Sequence, residues 1–158
     1  MTITYLLPAL LSLHLIALIL MAGTTLIDFV TVRGFWQLFE MQKEKAFGLL
    51  EATAVYSRLI GIGAAILIIT GFGMMFVTHG VFGEQLWFRI KFFFVILLVA
   101  NGVFIGRRLG LRLRKTVSVT DQNNPDEIIQ VRKNLYRFHI SQLLIFIVII
   151  FLSIFKFN

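Results

Sequence analysis

"LLSLHLIALIL", residues 10–20, decides the fold. It lies in an apolar run from about Tyr5 to Val30, and one imidazole, His14, stands among its leucines and isoleucines. The run is long enough to cross about 30 Å of hydrocarbon at about 1.5 Å per residue. Three more segments of similar character follow, at about 59–77, 86–105 and 135–155. Lipid offers no partner to an open backbone, so each segment is expected to be helical. The reading is an all-α integral membrane protein, a four-helix bundle forming one four-span transmembrane domain over residues 1–158.

Composition agrees. Hydrophobic residues make up 58% of the 158 residues, with 17 phenylalanines, more apolar surface than a soluble chain of this length hides. No cysteine is present, which excludes disulfides, thiolate metal sites and cysteine nucleophiles. The first apolar run lacks a basic flank and a small-residue cleavage site, so it is read as a retained span.

The net charge of +7 reads as topology and contact with anionic lipid rather than nucleic-acid binding. Spans alternate sides, so the segments after spans one and three share a side. That side carries Arg33, Lys43, Lys45, Arg58, Arg107, Arg108, Arg112, Arg114, Lys115, Arg132, Lys133 and Arg137, against Arg89, Lys91 and Lys156 on the other. The positive-inside rule places the first group in the cytoplasm and both termini outside, in the cell's inner (plasma) membrane. Residues 33–57 mix charges and apolar residues at helical spacing, which predicts helical extensions of spans one and two. "THGVFGEQ", residues 78–85, is expected to be a tight turn. Residues 107–134 are expected to form a long basic loop with a turn at "DQNNPDE", and Pro125 followed by acids can start a helix leading into span four.

Polar residues fall in stripes. His14, Met21, Thr25 and Asp28 lie within about 60° on a helical wheel. His139, Gln142, Phe146 and Ser153 align on span four, Lys91, Leu98 and Gly102 on span three, and Gly63, Thr70, Met74 and Val77 on span two. Facing lipid would cost an ionisable group at least about 2.5 kcal/mol at mid-depth, so the stripes are expected to point inward. Gly102, Gly106 and Gly110 form a small-residue ladder, serving either its own bundle or a homodimer.

Depth sorts the groups into an outer cluster of His14, Met74, Met75, His79, Arg89 and Lys91, and an inner one of Asp28, Arg58, Arg137 and His139. His14 lies roughly 13 Å below the start of its span. Asp28 and Arg58 are expected to pair where spans one and two meet the basic side. No catalytic motif of soluble enzymes is found, and "GIGAAILIITGFG" reads as a packing face. Two readings of His14 stay open. It hydrogen-bonds a neighbouring helix, or it is the metal ligand of a heme, with methionine, histidine or an amine as second axial ligand and Arg89 and Lys91 pairing with propionates. For His79, in a turn, and His139, near a membrane boundary, a structural role is the simpler reading.

Four stretches carry a family resemblance. "LHLIALILMAG" (13–23), "YSRLIGIGAAILIITGFGMMF" (56–76), "LWFRIKFFFVILLVANGVFIGRRL" (86–109) and "LYRFHISQLLIFIVIIFLSIFKF" (135–157) resemble, in order and spacing, the four helices of HemJ-type membrane proteins. That resemblance implies heme b, porphyrin as ligand, and oxidation of protoporphyrinogen IX. It implies His14 as heme ligand, Lys91 as a functional polar residue, and Arg58 as a structural or propionate-pairing one. The chain departs from the family at Leu20 and Met21, where an aromatic pair is usual, and at Asp28 and Thr31, where a basic residue and a histidine are usual. The alternative is a related CopD-like protein, a non-enzymatic metal-transport or assembly subunit binding metal through His14, Met21, Met74 or Met75.

Overall fold

The structure is a computed structural model that describes residues 2–119 and 125–155. Helix α1 runs Thr2–Met41 and α2 runs Lys43–Val77. One non-helical residue, Gln42, separates them. At about 1.5 Å per residue, α1 is roughly 60 Å long, twice the hydrocarbon thickness. The two helices therefore extend past the spans, as their charge pattern predicts. A short 3₁₀ turn, Val81–Glu84, leads to α3, Leu86–Ala100. A π-helical turn, Asn101–Gly106, joins α3 to α4, Arg107–Val119, and α5 runs Pro125–Ile154. All four rods are long and apolar enough to cross a bilayer.

One expectation needs correction, and the helix start expected at Pro125 is present. The basic segment after span three is helix rather than loop as far as Val119. Its Leu109, Leu113 and Val117, four residues apart, are buried while its arginines point outward. Span four is entered by helix from Pro125, with Asp126 and Glu127 in the first turn, where carboxylates suit the positive end of the helix dipole. Of the expected turn "DQNNPDE", residues 121–124 lie outside the described residues.

Helices α1 and α2 form an antiparallel hairpin with the most extensive backbone contact in the bundle. Gly63 is why: a Cβ there would stand 3.0 Å from Met21 Cβ and 3.3 Å from the Ala17 carbonyl oxygen. Helix α5 packs against α1 on one side and α3 on the other. Helices α2 and α3 meet chiefly through side chains, with Phe72 and Phe92 edge to face at 6.2 Å. Two apolar cores result. Met21, Leu98, Phe146 and Ile149 fill the middle of the spans. Phe35, Trp36, Ala46, Leu50, Leu113 and Leu135 belong to a second core at the basic end, built by the helical extensions. Lipid tails are as apolar as leucine and drive no association inside the bilayer. The second core lies where charged residues return, and there burial from water does the holding.

The stripes point inward. Met21, Thr25, Gly63, Thr70, Leu98, His139, Gln142 and Phe146 are all buried. Two rungs of the glycine ladder face α5: a Cβ on Gly102 would touch Gln142 Nε2 at 3.5 Å, and one on Gly106 would meet Phe138 Cζ at 2.8 Å. Gly110 alone has open space beside it. The π turn is locked to α5 by polar side chains. Asn101 Nδ2 donates to Gln142 Oε1 at 2.7 Å, and Gln142 Nε2 donates to the Leu98 carbonyl at 3.2 Å.

Candidate functional site

The structure gathers ionisable groups at two depths between helices. The first centre is His14. Its Nδ1 lies 2.7 Å from Thr70 Oγ1 on α2. The Thr70 hydroxyl has one proton, and the Ile66 carbonyl lies 2.6 Å from its oxygen. With that proton on the carbonyl, the hydroxyl oxygen accepts from a His14 Nδ1–H; with it on Nδ1, Thr70 is the donor, and either way the hydroxyl braces the ring. A histidine that binds metal through one nitrogen ordinarily donates from the other to an oriented acceptor, and Thr70, itself buried, is such an acceptor in the first arrangement. The ring edge lies over Gly71, where a Cβ would stand 3.6 Å from Cε1. Lys91 of α3 acts on the same imidazole through its charge.

The other residues expected at this end are less converged. His79 sits in the turn after α2 with φ 51°, ahead of Gly80 with φ 74°. The Gly80 N–H donates to the Met75 carbonyl at 3.0 Å, closing the helix end. Together with Phe72, Gly73, Met75 and Phe76, His79 lines an apolar groove of about 770 Å³. Met74 lies one turn beyond Thr70 and is half-buried. Arg89 donates from Nε to the Gly83 carbonyl at 3.0 Å, so it braces the turn. Arg58 is exposed, about 18 Å from Thr70 along α2 at about 1.5 Å per residue. The structure thus does not bring Arg58 to the His14 centre.

The second centre is a pair that sequence reasoning assigned differently. Asp28 meets His139 rather than Arg58. His139 Nδ1 donates to the Leu135 carbonyl at 2.8 Å, and Nε2 lies 3.1 Å from Asp28 Oδ2. A carbonyl only accepts, so Nδ1 carries a proton. A second proton must then lie between Nε2 and the carboxylate, held by whichever of the two is protonated. The His139 side chain is 2% exposed and that of Asp28 15%. Asp28 Oδ1 is buried with no hydrogen-bond partner among the described residues. Both residues stood on the correct stripes, and their shared inward position was the available signal. The register between α1 and α5 was not.

Among the described residues, no three His, Cys, Asp or Glu side chains come together as a metal site. A heme needs an axial imidazole and an apolar surround; His14 with its Thr70 brace could supply the imidazole, and the groove at His79 is not lined by His14. No family model, curated protein or solved structure matches this chain.

Proposed function

We propose that the protein is a heme-b-binding membrane redox protein with His14 as an axial ligand, acting on a porphyrinogen. The observation that supports this reading is His14 Nδ1 at 2.7 Å from the buried Thr70 hydroxyl, a brace of the kind a metal-binding imidazole uses. Bound there, heme supplies one-electron chemistry. The residues of the chain would bind and orient: Thr70 would hold the imidazole, Lys91 would offer a cation to a propionate, and the Phe72–Phe92 pair would add apolar surface between α2 and α3. Met74, one turn from Thr70 and half-buried, would be a candidate for a second ligand. The basic end faces the cytoplasm in this reading, both termini face outward, and the membrane is the cell's inner one.

The test is an absorption spectrum of detergent-purified protein. A Soret band is expected. His14→Ala should abolish it, whereas Thr70→Val should keep it with a shifted midpoint potential, because the imidazole loses its acceptor. Purified protein with stoichiometric metal and no porphyrin would instead favour the CopD-like alternative. A Soret band unchanged in His14→Ala removes His14 from the site.

A further inference from the structure

A cavity of about 550 Å³ lies between α1 and α5, next to the Asp28–His139 pair. The helices run antiparallel, so the pair closes one end and three cations, Arg33, Arg132 and Lys133, stand one to two turns nearer the basic end. Between them the wall is aromatic. Phe29 lies 5.8 Å from Tyr136 and 5.7 Å from His139, centroid to centroid. Trp36 lines the same cavity, and its buried indole N–H finds no acceptor among the described residues.

The charge is unbalanced. Arg132 shares Glu40 at 2.9 Å, with both side chains more than half exposed. Arg33 and Lys133 have no ion-pair partner among the described residues. His139 and Asp28 hold one another, so the imidazole offers this cavity a ring and no free nitrogen. A ligand that fits is anionic at the end near Arg33 and Lys133 and apolar beside Phe29 and Tyr136. Tyr136 is largely exposed at the lip, at the level where aromatic residues mark the edge of a bilayer. A soluble anion leaves the aromatic half unused; an acyl-bearing phosphate uses both halves.

We infer that this cavity binds an anionic glycerophospholipid, its phosphate against Arg33 and Lys133 and its glycerol and acyl portion over Phe29 and Tyr136. Basic pockets between membrane helices recognise such headgroups by charge and hydrogen bonding. The site is separate from the His14 centre and stands whether or not heme binds there.

The test is native mass spectrometry of the full chain in neutral detergent, after incubation with phosphatidylglycerol, with phosphatidylcholine of the same acyl chains, or with inorganic phosphate. Phosphatidylglycerol should be retained at least tenfold more than phosphatidylcholine. Arg33→Gln with Lys133→Gln should abolish that preference. Arg112→Gln with Arg114→Gln removes equal charge from exposed positions on α4 and should leave it intact. If the first pair of substitutions lowers helicity, the charge-keeping exchange Arg33→Lys with Lys133→Arg replaces it and should retain the lipid. Equal retention of both lipids, equal loss in both double variants, or displacement of the lipid by equimolar inorganic phosphate overturns the assignment, the last in favour of a soluble anion.

Discussion

Replacing His139 with leucine should be among the costliest single changes in the spans, and the structure says how the cost divides. The leucine fills most of the imidazole's volume, so little cavity arises. What remains is Asp28, its side chain 15% exposed, with Oδ1 already unpartnered and Oδ2 now losing its one partner among the described residues. Breaking a buried pair from one side costs about 3–5 kcal/mol, whereas replacing both members by apolar groups is often close to neutral. Adding Asp28→Leu to His139→Leu should therefore recover most of the loss, a coupling of about 2 kcal/mol or more. Asp28→Asn should cost less than about 1 kcal/mol, because its amide can donate to Nε2 in place of the shared proton. The assay is thermal unfolding of the four proteins in one detergent, followed by near-ultraviolet circular dichroism. Equal destabilisation of His139→Leu and the double variant would refute the idea that a stranded carboxylate is the source of the cost. So would Asp28→Asn matching His139→Leu.

Other changes follow from the packing. Gly63→Ala should destabilise the α1–α2 hairpin by about 1–3 kcal/mol, since Met21 Cβ and a backbone carbonyl cannot withdraw. Gly61→Ala, with nothing within 4 Å, should be neutral or stabilising by up to about 1 kcal/mol, and thermal unfolding compares the two. His79→Gly should keep or raise stability by roughly 1 kcal/mol, because the residue occupies the left-handed region; a heme spectrum altered by that change would give His79 a ligand role. Glu40→Gln should shift unfolding by less than about 0.5 kcal/mol, its ion pair with Arg132 being exposed.

The spans, their inward stripes and the helical extensions were all legible in the sequence, because lipid imposes length and periodicity so strictly. His14 and Thr70 each stood on a recognised stripe, and only their pairing needed coordinates. The partner of Asp28 was misread for a definable reason. A wheel gives the face on which Asp28 lies but not the neighbour opposite it, and Arg58 was closer in hairpin order than His139. Helix α4 was hidden by composition: its basic residues suggested a loop, while Leu109, Leu113 and Val117 kept a spacing of four that marks a buried face. The basic cavity was invisible because half of it comes from residues 29–36 and half from residues 129–139.

The π turn at Asn101–Gly106 has a consequence for chain length. Such a turn holds one residue more than an α-helix would between the same two flanks. Deleting one of the exposed residues Val103, Phe104 or Ile105 lets the segment relax to α-helical winding with Leu98 and Leu109 still facing their neighbours. The same deletion at Ile96 would turn everything downstream by about 100° and carry the Asn101–Gln142 contact out of reach. Natural variants of this chain one residue shorter in the third rod are therefore expected to have lost that residue between positions 101 and 106.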